Sequence, residues 1–254
     1  MHAAVTTAII PREPLWLTGI AGESVSKRGS RSINADAAAT FTDSTAGRTA
    51  FVVADGVGDH LLAARAARTV ATVAARAGAR SGAVAGILAA QQQLLREFPQ
   101  QNADSVLVVA VLAADRCDDG PCDIAWVGDC RAYRWNGRML HQITTDHTVA
   151  EHFRAKGLHP APRLNHLVTT SARTARPADI GHTATGSSMG RLLLSTDGVH
   201  KRLGITDIKA ILADVPTAGS AAEALVESAL RSGGSDNATA LVVDTRSARP
   251  LTVK

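Results

Sequence analysis

Four aspartates stand at positions where their carboxylates could bind a metal ion. Asp55 ends the apolar run 51–54, and Asp197 follows the apolar stretch 192–194; both precede a glycine. Asp236 lies in a glycine-rich turn before another apolar run, and Asp36 lies in an early turn. Carboxylates gathered in one place repel one another unless a cation neutralises them. Oxygen ligands without neighbouring His or Cys ligands favour Mg²⁺ or Mn²⁺ over Zn²⁺, so these residues predict a divalent-cation site.

A purely structural role is the competing interpretation of each aspartate. Asp-Gly and Asp-Asn pairs form turns readily, because the short carboxylate bonds nearby backbone amides and glycine tolerates positive φ. For any single aspartate this structural interpretation is the stronger one. The recurrence of carboxylates at the ends of apolar strands shifts the balance towards a shared site.

The composition predicts one large globular domain. Of the 254 residues, 45% are hydrophobic and only 3% aromatic, so the core must consist mainly of Ala, Val, Leu and Ile. The predicted domain covers 13–246, between an N-terminal tail at 1–12 and a C-terminal tail at 247–254. The formal net charge is +4, but the basic residues are dispersed apart from Lys27, Arg28 and Arg31. We therefore expect no nucleic-acid partner, and a basic nucleic-acid-binding module is the weakest candidate function.

The cysteines and the apolar segments indicate a reducing compartment. Cys117, Cys122 and Cys130 are odd in number and lack the paired spacing of a disulfide framework or a structural zinc site. The longest apolar run, 106–114, is far shorter than the roughly 20 residues that a membrane-spanning helix needs. No signal peptide is recognisable at the N-terminus. We therefore expect a cytoplasmic protein without a membrane partner.

Hydrophobic periodicity predicts the elements that would position the aspartates. The predicted strands are 15–20, 37–41, 49–54, 105–114, 122–127, 132–135, 138–143, 179–183, 191–195 and 238–243. The predicted helices are two between 59 and 99, one at 148–157, one at 207–213 and one that begins at Ser220, and the predicted irregular segments are a loop at 23–32 and a flap at 158–178 with a short strand near 167–170. The strands on either side of Gly128 are expected to continue as an antiparallel meander. This order predicts two sheets packed face to face with helices outside both.

Six short motifs occur in the order and approximate spacing of the metal-dependent protein phosphatases. They are Arg31-Ser-Ile-Asn34-Ala35-Asp36, Asp55-Gly56-Val57-Gly58-Asp59-His60, Gly128-Asp129-Cys130-Arg131, Thr145-Asp146-His147, Ser195-Thr196-Asp197-Gly198 and Asp236-Asn237-Ala238-Thr239. The chain thus resembles bacterial members of the PPM family, also called protein phosphatase 2C-like Ser/Thr phosphatases. The likeness spans 31–239 and implies an α+β fold, a four-layer α/β/β/α sandwich of two packed antiparallel sheets flanked by helices.

The resemblance assigns metal-binding roles to individual residues. Asp55 would bridge two Mg²⁺ or Mn²⁺ ions, and the Gly56 carbonyl would bind one of them. Asp197 and Asp236 would complete the first ion's site. Asp36 would support the second ion, largely through water. Because the bridging position lies at the centre of the reaction, Asp55 is also a predicted catalytic residue.

The same resemblance implies two more roles and contains three departures. Asp129 corresponds to an acidic residue linked to a third, weaker metal ion, and Arg31 corresponds to the catalytic arginine that binds the substrate phosphate. Ala35 stands where the family usually has Glu, which predicts weak affinity for the second ion. Asp59 replaces a glycine and could cap the helix that follows. Cys130 replaces the commoner serine, and we interpret it as structural.

The function implied by the resemblance is hydrolysis of phosphoserine and phosphothreonine monoesters in proteins through a metal-bridging hydroxide. The expected partners are a phosphorylated protein substrate and a component of a Ser/Thr kinase signalling pathway, and the expected form is a monomer. The alternative, motivated by Ala35, is a catalytically weak or inactive pseudophosphatase that binds a phosphoprotein and regulates signalling. His60 could assist proton transfer, but a position at a helix terminus is the favoured interpretation.

Overall fold

The structure, a computed structural model, describes residues 20–100, 103–113 and 120–245. In these residues the strands are β1 Ile20–Lys27, β2 Asp36–Asp43, β3 Arg48–Gly56, β4 Ser105–Ala113, β5 Asp123–Val127, β6 Arg131–Trp135, β7 Leu140–Gln142, β8 Gly181–Ala184, β9 Gly190–Ser195 and β10 Ala238–Thr245. The helices are α1 Leu61–Ser81, α2 Ala83–Glu97, α3 Val149–Arg154, α4 Asp197–His200, α5 Ile205–Asp214 and α6 Ala218–Arg231. The predicted tails at 1–12 and 247–254, and Cys117, lie outside the described residues.

The strands form two antiparallel sheets of five strands each. One has the order β1-β10-β9-β6-β7 and the other the order β2-β3-β4-β5-β8. In the second sheet the register pairs Asp36 at the start of β2 with Asp55 at the end of β3. In the first sheet Ser195, at the end of β9, pairs with Ala240 near the start of β10. Antiparallel pairing therefore places the strand termini that carry or adjoin the aspartates at the same end of each sheet.

Three apolar layers hold the sheets and helices together. One lies between α1, α2 and the β2-β3-β4-β5-β8 sheet, one between the two sheets, and one between α5, α6 and the β1-β10-β9-β6-β7 sheet. Ala, Val, Leu and Ile make up most of each layer, as the low aromatic content requires. The predicted α+β fold, a four-layer α/β/β/α sandwich, is confirmed.

Small residues let α1 lie close to its neighbours. A Cβ atom on Gly86 of α2 would stand 2.8 Å from the carbonyl oxygen of Ala74 in α1, which leaves no room for a side chain. A Cβ atom on Gly56, at the end of β3, would stand 2.3 Å from the carbonyl oxygen of Ala63. Gly86 therefore permits the close packing of α2 on α1. Gly56 permits the start of α1 to contact the end of β3 that carries Asp55.

The predicted loop at 23–32 is wrong over its first half, which is a strand. β1 pairs with β10 along its whole length, from Ile20 with Thr245 to Lys27 with Ala238. Of the predicted strand 15–20, only Ile20 lies within the described residues. The strand was hard to recognise because it lies at the edge of its sheet and exposes polar side chains such as Glu23.

The predicted meander around Gly128 is also wrong, because β5 and β6 belong to different sheets. The chain crosses between the sheets through the tight turn at 128–130. Gly128 has φ +87°, and a Cβ atom there would lie 2.1 Å from Val106 Cγ1. Sequence patterns show that a turn occurs at this glycine, but not which sheet the next strand joins.

The start of α6 and the structure of the flap also differ from the predictions. α6 begins at Ala218 rather than Ser220, because the Thr217 hydroxyl caps it by accepting a hydrogen bond from the Ser220 N–H at 3.1 Å. The flap contains no strand at 167–170 but a 3₁₀ turn, Pro162–His166, and a single β-bridge between Thr148 and Val168. No helix among the described residues has the length and apolar character needed to cross a bilayer.

Candidate active site

A cleft of about 200 Å³ opens where strand ends of both sheets meet. Its lining includes Arg31, Gly56, the flap residue His166 and four of the five aspartates that the sequence singles out. The fifth aspartate is buried beside them at the start of β2. We call this set the cleft aspartates: Asp36, Asp55, Asp129, Asp197 and Asp236. The structure thus brings together all the predicted site residues.

Asp36 is the buried member of the set and is only half satisfied. Its Oδ2 accepts hydrogen bonds from the hydroxyls of Thr196 at 2.9 Å and Thr239 at 2.7 Å. Its Oδ1 is buried without a hydrogen-bond partner. Burial raises the pKa of Asp36 to about 7. A buried carboxylate oxygen without a partner is costly, which indicates a ligand at this position.

Asp55 lies between negative neighbours at the end of β3. Burial, followed by the charges of Asp36 and Asp197, raises the pKa of Asp55 well above its ordinary value. A bound cation reverses such an effect, because it stabilises the ionised carboxylate. The electrostatics of the cleft therefore favour cation binding.

Arg31 reaches the cleft from the segment that joins β1 to β2. Its Nη2 donates to Asp236 Oδ2 at 2.8 Å. The other carboxylate oxygen of Asp236 accepts from the backbone N–H of Asn237 at 2.8 Å. The predicted phosphate-binding arginine is thus paired with a predicted metal ligand, at a site where both side chains remain partly exposed.

Asn237 anchors the segment that carries Arg31, a role that the sequence analysis missed. Its Oδ1 accepts from the Ala35 N–H at 2.7 Å. Its Nδ2 donates to the carbonyl oxygens of Arg28 at 2.8 Å and Ile33 at 2.9 Å. The signal was its place directly after Asp236, but only the fold brings residues 28–35 beside it.

Asp59 holds the same segment from its other side. The carboxylate accepts hydrogen bonds from the backbone N–H groups of Ser32 and Ile33, each at 3.2 Å. The predicted role of Asp59 as a helix cap is wrong, because His60 is the N-cap of α1 and its Nδ1 accepts from the Ala63 N–H at 3.1 Å. The predicted position of His60 at a helix terminus is confirmed.

An ion pair joins the motif that contains Asp129 to the motif that contains Asp146. Arg131 Nε and Nη2 donate to the two oxygens of Asp146, both at 2.7 Å, in a bidentate pair. The His147 N–H donates to the Gly128 carbonyl at 2.9 Å. These bonds fix the inter-sheet turn and so orient Asp129 towards the cleft.

Lys201 is a second basic residue of the cleft that the sequence analysis missed. Its ammonium group donates to Asp129 Oδ2 at 2.7 Å and to Asp197 Oδ2 at 2.8 Å. Burial would lower the pKa of Lys201, but the charges of Asp197 and Asp129 outweigh burial and raise it. The available signal was spacing, since Lys201 follows Asp197 by four residues and thus by about one helical turn.

Comparisons with known proteins agree with this fold. No family model matches the chain. The protein phosphatase PhpP of Streptococcus pneumoniae serotype 2 is 29% identical over 220 residues, which cover 78% of this chain and 86% of PhpP. Among solved structures, a bacterial serine phosphatase has a TM-score of 0.77 at 22% identity, covering 90% of this chain and 98% of its own. The catalytic domain of the phosphatase PstP, in complex with two manganese ions, has a TM-score of 0.70 at 24% identity, covering 89% of this chain and 97% of its own.

The chain is similar in sequence to a bacterial protein phosphatase and in fold to the PPM-type phosphatases. Three observations agree on this: the ordered motifs, the sandwich fold and the similarity to PhpP over most of both chains. The solved structures by themselves show the shared fold.

Ala35, which replaces the Glu usual in the PPM family, lies in an apolar environment. Ala35 is 2% exposed and packs with Ala63, Ala64 and Ile33 at the start of α1. A Glu side chain at this position would enter this small apolar cluster. Cys130, the other departure, is buried in the layer between the sheets, as expected of a structural residue.

The cleft aspartates fit a PPM-type pair of divalent ions in the chemistry of their donors. Mg²⁺ and Mn²⁺ prefer carboxylate and carbonyl oxygens, and the unpartnered Asp36 Oδ1 is available for a ligand. In residues 20–100, 103–113 and 120–245, no group of three or more His, Cys, Asp or Glu side chains is already arranged to hold a metal ion. Arg31 and Lys201 instead bind oxygens of three of the carboxylates. Metal binding at Asp236 would therefore compete with the ion pair between this carboxylate and Arg31.

Proposed function

We propose that the chain is a Mg²⁺- or Mn²⁺-dependent phosphatase that hydrolyses phosphoserine and phosphothreonine monoesters of proteins. The observation that carries this proposal is the convergence of the cleft aspartates and Arg31 on one cleft. The names of PhpP and of the structurally similar serine/threonine phosphatases support the substrate class. We further propose that the chain acts as a cytoplasmic monomer on substrates of a Ser/Thr kinase pathway.

Five residues would hold two ions in this proposal. Asp55 would serve both ions and the Gly56 carbonyl one of them, with Asp197 and Asp236 at the first ion and Asp36 at the second. When bound, divalent ions would neutralise carboxylates, lower the pKa of a water molecule and stabilise charge on a phosphoryl group. Thr196 and Thr239 would orient Asp36, since their hydroxyls already hold its Oδ2.

Arg31 would exchange one anion for another. In the structure its guanidinium binds Asp236. Arg31 would turn from this carboxylate to the substrate, because its planar guanidinium donors match two phosphate oxygens. Asp59 and Asn237 hold the backbone of the segment, so a change of side-chain conformation is sufficient.

Hydrolysis of p-nitrophenyl phosphate and of a phosphothreonine peptide in the presence of Mn²⁺ tests the proposal. We expect Asp55→Asn to lower kcat/KM by roughly 100-fold or more, because it removes charge that acts on the reacting centre. Asp214→Asn, at an exposed position at the end of α5, is the matched control and should keep wild-type activity. The proposal fails if the wild type is no more active than folded Asp55→Asn.

A pseudophosphatase is the second candidate, and the observation that favours it is Ala35. The small cluster around Ala35 leaves the second ion without the acidic residue usual in the family. Such a protein would bind a phosphothreonine peptide in the presence of Mn²⁺ without releasing phosphate. Measuring binding and phosphate release on the same peptide separates the two functions.

A further inference from the structure

Lys201 makes a complete set of contacts inside the cleft. An ammonium group has three N–H donors. Lys201 Nζ has three acceptors within hydrogen-bond distance: Asp129 Oδ2 at 2.7 Å, Asp197 Oδ2 at 2.8 Å and the Asn165 carbonyl oxygen at 3.1 Å. Only 18% of its side chain is exposed. The ammonium is therefore a desolvated and fully bonded cation.

The fold brings these acceptors to Lys201 from three separate segments. Asp197 begins α4, and Lys201 follows this short helix, so that both side chains lie on the same face. Asp129 comes from the turn that crosses between the sheets, and Asn165 lies in the 3₁₀ turn of the flap. The position is thus built into the tertiary structure rather than formed by one flexible surface side chain.

Lys201 stands where the PPM resemblance places a third metal ion. That ion would bind Asp129, and Oδ2 of this carboxylate already accepts from the ammonium at 2.7 Å. A divalent ion between Asp129 and Asp197 would meet a like charge at close range. The residues present at this position therefore do not fit a third ion.

We propose that Lys201 is a built-in cation that replaces the third metal ion of the cleft and ties the flap to it. This inference rests on the proposed metal-dependent function, because it concerns the same group of carboxylates. The positive charge that a third metal ion would bring from solution is supplied here by the Lys201 ammonium. The bond to the Asn165 carbonyl joins this cation to the flap turn.

Counting bound Mn²⁺ per chain, by equilibrium dialysis with metal analysis and without substrate, tests the proposal. Lys201→Met removes the charge at similar side-chain length, and we expect it to bind one more ion than the wild type. The double variant Lys201→Met with Asp129→Asn should return to the wild-type number. Lys156→Met, at an exposed position after α3, is the matched control and should not change the count.

The single variant Asp129→Asn tests the proposal independently of whether Lys201→Met folds. If Lys201 holds this carboxylate, Asp129→Asn should leave the number of ions bound to the otherwise wild-type chain unchanged. A lower count in Asp129→Asn, or an unchanged count in folded Lys201→Met, would overturn the inference. A wild type that binds no Mn²⁺ would instead contradict the proposed function, so the two failures are distinguishable.

Discussion

At the scale of single residues, two basic side chains partly balance the negative charge of the cleft. Arg31 pairs with Asp236, and Lys201 pairs with Asp129 and Asp197. Five carboxylates against two basic groups leave an excess of three negative charges when all are ionised. This excess supports cation binding by the cleft, and the three ion pairs show which carboxylates already contact a basic group.

Chemical reactivity of the buried thiols gives a prediction at this scale. Burial raises the pKa of Cys122 to about 12 and raises the pKa of Cys130 well above its ordinary value. The thiolate is the reactive form. Iodoacetamide at about pH 8 should therefore leave both cysteines unmodified in the native protein and alkylate both in urea, as peptide mass mapping would show. Modification of either in the native state would contradict the burial described here.

The anchor residue Asn237 gives a second prediction. Asn237→Ala removes three hydrogen bonds to the segment that carries Arg31 and leaves the buried N–H of Ala35 without its acceptor. We expect the free energy of unfolding in urea to fall by roughly 2–4 kcal/mol. Asn136→Ala, in an exposed hairpin turn, is the comparison and should cost about 1 kcal/mol or less. Equal losses in the two variants would argue against the anchoring role.

At the scale of elements, strand ends and short turns decide where the chemistry can occur. β2 and β3 place two carboxylates side by side through their register. The turn between β5 and β6 carries Asp129 across from one sheet to the other, and α4 begins with Asp197. Strong apolar periodicity made β3, β4, β10 and the two long N-terminal helices predictable. The edge strand β1 and the inter-sheet crossing were not, because neither has a local pattern of its own.

The start of α6 gives a prediction for an element. Thr217 Oγ1 accepts from the Ser220 N–H, which satisfies a helix-terminal donor. Thr217→Ala should lower the free energy of unfolding by about 1 kcal/mol. Ser220→Ala keeps this backbone bond and should cost clearly less. A larger loss in Ser220→Ala than in Thr217→Ala would contradict capping by Thr217 and favour the predicted helix start at Ser220.

At the scale of the whole molecule, the cleft joins the two halves of the sandwich. Asp36 and Asp55 belong to one sheet, while Asp197 and Asp236 flank strands of the other. Ions bound between them would cross-link the sheets. Ligands that bind only the folded state stabilise it in proportion to the logarithm of their concentration over Kd.

Metal-dependent stability is the prediction at this scale. Mn²⁺ at about 100 times its Kd should raise the Tm of the wild type by roughly 5–10 °C, and a chelator should reverse the shift. Asp36→Asn should lose much of this shift, because it removes the carboxylate with the unpartnered buried oxygen. Asp214→Asn should retain the full shift. An equal shift in wild type and Asp36→Asn would remove Asp36 from the ligand set.

The sequence by itself determined the family resemblance, the sandwich architecture and the identity of the cleft aspartates. It could do so because apolar periodicity is local and because the motifs recur in a set order. Only the tertiary structure showed that Asp59 and Asn237 hold the Arg31 segment and that Lys201 neutralises Asp129. These contacts join residues up to 209 positions apart in the chain. Nothing in the local sequence specifies such partners, because packing of the two sheets is what brings them together.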